Sequence, residues 1–134
     1  MYRSISPRQF ATTTEIPREN LEKVHFNEFK HLLNDKNVVV IDVREPEELK
    51  ELGTLPKSIN IPLGEVEEAL KLSNECFLQK YGQNKPQKAT PIIFSCMRGR
   101  RSETAQIKAL QLEYKNVKNY VGGWEEWAEK NKKE

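Results

Sequence analysis

Pro91-Ile92-Ile93-Phe94-Ser95-Cys96-Met97-Arg98-Gly99-Arg100-Arg101-Ser102 is the stretch on which the reading of this chain turns. Its first half is a continuous apolar run, the pattern of a strand buried on both faces. From Ser102 to Leu112 the composition suits a helix. Cys96 therefore stands between a buried strand and a helix start. First-turn N–H groups and the helix dipole stabilise negative charge there and favour a thiolate. Gly99 lets the backbone turn its amides inward, and Arg98, Arg100 and Arg101 bring three cations. A buried structural cysteine gains nothing from such neighbours. The stretch reads as an anion-binding cradle around a nucleophilic sulfur.

Working outward, strand-like and helix-like segments alternate. Val24 starts a short strand, and Asn27 is placed to cap a helix carrying Phe29, Leu32 and Leu33 on one face. Val38-Val39-Val40-Ile41 is a β-branched run, again a strand covered on both sides. Glu45 to Leu52 reads as a short helix with Pro46 in its first turn and Gly53 just past its end. A strand at Ile59 to Ile61 stops at Pro62. Helical pieces follow at Glu65 to Leu72 and Asn74 to Tyr81, the second capped by Ser73 and stopped by Gly82. Val117 to Val121 is a last strand, Gly122-Gly123 a turn, and Trp124 to Asn131 a closing helix. This order predicts an α/β fold, a small and mostly parallel sheet with helices on both faces. Sites in such sheets gather beyond the carboxyl ends of the strands, where Cys96 falls.

At 134 residues the chain fits one domain. No apolar run approaches the roughly 20 residues that span a bilayer, so no membrane role is expected. Its 22 basic and 20 acidic residues are too balanced for a nucleic-acid binder. Two cysteines without a C-x-x-C pair build no disulfide scaffold and point to a reducing compartment. Met1 to Thr14 holds Arg3 and Arg8 and no acid. Removing those two leaves 20 basic against 20 acidic residues, so the whole excess of +2 lies there. An Arg- and hydroxyl-rich, acid-free segment has the composition of a mitochondrial presequence, and Arg8-Gln9-Phe10-Ala11 looks like a processing junction. Residues 1–20 are read as a targeting segment or a disordered leader, ahead of a single domain over residues 21–134. The localisation expected is mitochondrial, and otherwise cytoplasmic.

Other candidates carry less chemistry. Cys76 lies on an amphipathic helical piece without cationic company and is expected in the core. His25 and His31 match no metal spacing, and neither a metal nor a cofactor is expected. Glu45, Glu47, Glu48 and Glu51 read as a solvated helix face, with Arg44 to Glu48 as an i,i+4 pair. Trp124 and Trp127 read as one packing face.

With these residues set out, Cys96-x-x-Gly99-x-Arg101-Ser102 resembles the active-site loop of the single-domain rhodanese (thiosulfate sulfurtransferase) family. Three further segments fall in that family's order. Val39-Val40-Ile41-Asp42-Val43-Arg44-Glu45-Pro46-Glu47-Glu48 resembles its first conserved box, and Gly53-Thr54-Leu55-Pro56-Lys57-Ser58-Ile59-Asn60-Ile61-Pro62 resembles its GHIPGA-x-N-x-P stretch. Gly122-Gly123-Trp124 with Trp127 resembles its C-terminal signature. The resemblance covers residues 24–128. Thr54 stands where the family has histidine and Lys57 where it has glycine, departures that bear on loop packing.

The resemblance implies a rhodanese-type transferase. Cys96 would take the outer sulfur of a small-molecule donor, thiosulfate or a persulfide, and hold it as a persulfide. It would then pass the sulfur to cyanide, a small thiol or a protein thiol. Backbone N–H groups over residues 97 to 102, from Met97 through Gly99 to Ser102, would hold the anionic sulfur. Arg101 would meet the donor's sulfonate, Arg98 and Arg100 would draw anions to the mouth, and Asp42 and Arg44 would be structural beside the site. Two other readings stand beside this one. A phosphatase or arsenate reductase of the same fold uses a longer Cys-x5-Arg loop, whereas here Ser102 stands six after Cys96. A non-catalytic interaction module of the same family usually lacks the cysteine.

Overall fold

The computed structural model describes residues 16–132. Five strands form one sheet: β1 (Lys23–Val24), β2 (Val39–Asp42), β3 (Ser58–Asn60), β4 (Ile92–Ser95) and β5 (Val117–Tyr120). Their spatial order is β1-β5-β4-β2-β3, and every neighbouring pair is parallel. Parallel neighbours need crossovers, and helices supply them. The helices are α1 (Phe26–Leu32), α2 (Pro46–Leu52), α3 (Val66–Lys71), α4 (Asn74–Tyr81), α5 (Arg100–Gln111) and α6 (Gly123–Lys130).

The period-2 alternation of each strand divides the core into two layers. Ile41, Ile92, Phe94 and Val117 meet Val66, Leu70, Phe77, Ala105 and Ala109 on the α3, α4 and α5 face. Val40, Ile93 and Tyr120 meet Val24, Phe29 and Leu33 on the other, where Trp124 and Trp127 of α6 pack together, as the sequence predicts. Phe29 stacks on Tyr120 at 4.1 Å and meets Trp127 edge-on at 5.6 Å. Such aromatic pairs add about 0.5–1.5 kcal/mol beyond area burial, and here they fix α6 against α1.

Four local expectations are corrected. Asn27 is inside α1 and does not cap it. The helix opens at Phe26, which packs on Trp127, and His25 takes the cap position without a side-chain bond. Helix α5 opens at Arg100, two residues before the predicted start, with Gly99 as its N-cap. Cys76 is exposed rather than in the core. The buried side of α4 is Phe77, with half-buried Tyr81 one turn on, and Cys76 is a third of a turn out of phase. Arg44 does not pair with Glu48, because it precedes the helix that Glu45 caps, so the i,i+4 geometry never forms. Lys57, where the resembling family carries glycine, keeps a glycine-like φ of 62°, and its Nζ donates to the Leu33 carbonyl at 2.6 Å.

The leader expected over residues 1–20 lies, as far as residue 15, outside the described residues, as does the proposed junction at Arg8 to Ala11. Arg18–Asn20 form a 3-10 turn, and Arg18 pairs with Glu103 of α5. No helix among the described residues is long and apolar enough to cross a membrane.

Candidate active site

Strand β4 ends at Ser95 and α5 begins at Arg100, so residues 96–99 form the turn at the carboxyl end of the sheet. Cys96 is 1% exposed and sits beneath an open cleft of about 600 Å³ that it lines with Met97, Arg98, Arg100 and Arg101. The Gly99 amide donates to its Sγ at 3.0 Å and the Ser102 amide at 3.4 Å, with the Ser102 hydroxyl 3.3 Å away. Of the amides expected to turn inward over residues 97 to 102, these two face Sγ.

The loop is held open from behind. The Cys96 carbonyl accepts from the Trp124 amide at 2.8 Å and the Met97 carbonyl from the Glu125 amide at 3.1 Å. The Gly99 carbonyl accepts from Asn119 Nδ2 at 3.0 Å. Because carbonyl and amide point oppositely across a trans peptide, these bonds turn the amides of Met97, Arg98 and Arg100 away from their anchors. Those three amides have no hydrogen-bond partner among the described residues. Two glycines make the fit possible. Gly99 has φ 92°, and a Cβ there would stand 2.6 Å from the Val121 carbonyl oxygen; Gly123 has φ 63°, and its Cβ would stand 2.5 Å from the carbonyl oxygens of Cys96 and Met97. A side chain at Gly99 would push the loop off Val121 just past the end of β5, and one at Gly123 would push it off α6.

The arginines differ in their surroundings. Arg101 is held by Glu48 of α2 through two bonds, Nη1 to Oε2 at 2.7 Å and Nη2 to Oε1 at 3.0 Å. Glu48 is thus not part of a solvated face. It also accepts from the Glu45 amide at 3.0 Å, closing a capping box. Arg98 pairs with Glu125 in an exposed contact at 3.0 Å. Arg100 is exposed and has no side-chain partner among the described residues. Asp42 and Arg44 are both fully buried beside the site. Arg44 bonds Asp42 at 2.7 Å and the Gly53 carbonyl at 3.0 Å, and its guanidinium lies 5.0 Å from the Trp124 ring.

Two residues of this arrangement escape the sequence reading. Glu48 is hidden among four glutamates, although the Glu45-x-x-Glu48 spacing is that of a capping box. Asn119 stands in a buried strand, where asparagine is disfavoured. That incongruity is the signal for it. Among the described residues no cluster of His, Cys, Asp or Glu is placed to hold a metal.

The Arg101 hydrogen bonds hold the Glu48 carboxyl at about 2, against 4.5 for a free one, with the nearby Arg44 charge adding to them and burial opposing. The same bonds raise Arg101. The folded state therefore takes up this proton less readily than the unfolded chain. Stability from the pair is complete above about pH 4.5 and is lost as pH falls toward 2. Thermal melts across that window are expected to fall more steeply for the native protein than for Glu48→Gln. Parallel curves would remove the pair from the acid response.

Comparison with known proteins agrees with this geometry. The family model described as "Rhodanese-like domain" matches residues 25–130. A Schizosaccharomyces pombe protein named "Putative thiosulfate sulfurtransferase, mitochondrial" is 42% identical over 133 residues, 97% of this chain and 92% of that one. The human "Thiosulfate:glutathione sulfurtransferase" is 35% identical over 108 residues, 80% of this chain and 93% of that one. The solved structure of a human single-domain sulfurtransferase, TSTD1, superposes with a TM-score of 0.78 at 34% identity, covering 84% of this chain and 99% of that one.

Proposed function

This chain belongs to the rhodanese-like domain family, and from that premise we propose that it is a sulfurtransferase carrying one sulfur at a time on Cys96. The observation that supports this best is the setting of Cys96 Sγ. Two amides and a hydroxyl touch it, further amides are free beside it, and three arginines line the cleft above. The relatives' names supply thiosulfate as donor and glutathione as one acceptor.

In the first half-reaction the Cys96 thiolate attacks the outer sulfur of thiosulfate. The bond from that sulfur to the sulfonate breaks, its electron pair leaves with sulfite, and the negative charge passes to the terminal sulfur of a Cys96 persulfide. The amides of Met97, Arg98 and Arg100 are free to hold that charge in place before it forms, which is where preorganised dipoles help most. In the second half-reaction a thiolate or cyanide attacks the terminal sulfur, and the S–S electron pair returns to Cys96 Sγ. Electrons and atoms balance in both halves with no further reactant.

The pairing with Glu48 revises the role expected of Arg101. Two of its five N–H donors are committed, so it orients what reaches the floor with the remainder. Arg100, unpartnered at the mouth, is the cation proposed to meet the donor's sulfonate first. A donor–acceptor matrix tests the proposal: thiosulfate, mercaptopyruvate and glutathione persulfide against cyanide, glutathione and thioredoxin, with mass detection of the intermediate. Thiosulfate is expected to add the mass of one sulfur, and a chain that no sulfane donor modifies would sink the reading. Arg100→Ala is expected to raise KM for thiosulfate roughly tenfold, the scale of one charged hydrogen bond, with kcat moved less. An unchanged KM would return that role to Arg101. A mitochondrial location is proposed on the acid-free N-terminal composition and the "mitochondrial" name of the fission-yeast relative. Residues 1–20 fused to a fluorescent protein report it, and diffuse cytosolic signal would count against it.

A further inference from the structure

The Ser102 hydroxyl has one proton and two neighbours that compete for it. Cys96 Sγ lies 3.3 Å away and Asn119 Oδ1 2.5 Å. The far end of the Asn119 side chain decides between them. Its Nδ2 donates to the Gly99 carbonyl at 3.0 Å, which only the nitrogen of the amide can do, so Oδ1 must be the atom facing Ser102. An amide oxygen has no proton to give. The short contact therefore requires the hydroxyl to donate to Asn119, and it faces Sγ with lone pairs. Lone pairs suit a thiol, which has a proton to donate, and oppose a thiolate. The Gly99 and Ser102 backbone amides pull the other way.

From this we infer that Asn119 is a positioning residue that acts through Ser102. By holding the hydroxyl proton it withholds one donor from Sγ, and so sets how much charge the sulfur carries in the resting protein. When Sγ is ionised, as attacking group or as the group released at sulfur hand-off, the hydroxyl rotates. Its hydrogen bond to Asn119 breaks and one to Sγ forms, while the proton stays on Ser102 and no covalent bond changes. Ser102 and Asn119 are 0% and 3% exposed, so bulk water does not take the place of either side chain in this contact. The charged groups around Sγ are Arg101 of α5 with its partner Glu48 of α2, Asp42 and Arg44 at the end of β2, and Arg98 and Arg100 at the mouth. None is hydrogen-bonded to Asn119, although Arg98 and Arg100 flank the Gly99 whose carbonyl it holds. The inference rests on Cys96 being the nucleophile.

The test places Asn119→Ala and Asn119→Asp in two backgrounds, native and Ser102→Ala, with Cys76→Ser throughout to remove the second thiol. The readouts are thiolate ultraviolet absorbance and the alkylation rate of Cys96 at one fixed neutral pH. Asn119→Ala is expected to raise both about two- to tenfold, the range for one neutral hydrogen bond changing hands. Asn119→Asp, a stronger acceptor bearing a negative charge, is expected to lower both. Either change loosens Gly99, so a merely structural role moves the two variants in the same direction. In the Ser102→Ala background Asn119→Ala is expected to lose that rise, leaving only the effect of a loosened Gly99. A fall for Asn119→Ala, or an equal rise in both backgrounds, overturns the inference and leaves Asn119 as a brace for Gly99. Should alanine fail to fold, Asn119→Ser, too short to span from Ser102 to Gly99, takes its place with the same expected direction. These measurements need no sulfur donor. A protein that alkylates as expected but takes no sulfur from thiosulfate would sink the proposed function alone.

Discussion

Cys96→Ser is expected to abolish the sulfur-mass adduct and to lower sulfur transfer by a factor of about 10³ or more, the scale for loss of a nucleophile that acts with its surroundings as a unit. A serine hydroxyl at the same depth keeps the contacts to the Gly99 and Ser102 amides. It is far less acidic than a thiol, however, and forms no persulfide. Fold and binding should therefore survive while the chemistry does not. Unaltered melting, with retained quenching or protection by thiosulfate, is the pattern that separates this from unfolding. Cys76→Ser is the matched control. That side chain is exposed and stands outside the cleft, so transfer is expected to be unaffected. A Cys96→Ser protein within tenfold of the native rate would end the account of this site.

Asp42→Ala is expected to cost about 3–5 kcal/mol, because removing one partner of a buried pair strands the other charge out of water. For a domain of this size that is a fall in Tm of roughly 10–20 °C. Both side chains are fully buried, and Arg44 Nη1 has no partner even in the intact pair. Without Asp42 the guanidinium keeps only the Gly53 carbonyl and the Trp124 ring. Replacing both, as Asp42→Leu with Arg44→Met, removes the stranded charge. The double variant should melt above Asp42→Ala, as buried ion pairs exchanged for apolar residues commonly do. A single variant that loses less than about 1 kcal/mol would show that the pair is wet or dispensable. The pair also ties β2 to Gly53, at the end of the helix that carries Glu48. Weaker transfer in Asp42→Ala would then reach the site through Glu48 and Arg101.

The strands and the loop were legible because their signals are local. A β-branched run, a proline after a strand and a glycine past a helix each act within a few residues, and together they order the sheet and place Cys96 at its carboxyl end. Cys76 was misread for a local reason too, since one residue of phase on a short helix exchanges core for solvent. What stayed hidden joins distant parts of the chain. Arg101 and Glu48 are 53 residues apart and Ser102 and Asn119 are 17 apart, and no periodicity links them. Arg44 illustrates the same limit. Its spacing to Glu48 fits a helix, but whether residue 44 lies in that helix depends on Asp42 already being buried to receive it. The departure at Lys57 was visible as a letter, while its left-handed backbone and its bond to Leu33 were not.

The carbonyls behind the sulfur are gripped by Trp124 and Glu125, and the Gly99 carbonyl by Asn119. During synthesis Cys96 leaves the ribosome well before any of these, so the growing polypeptide exposes an ordinary thiol with nothing to shape it. Reactivity arrives only when the last two elements dock. A messenger cut short between the codons of Ser102 and Asn119 would encode every residue of the recognisable loop and still yield an inert product.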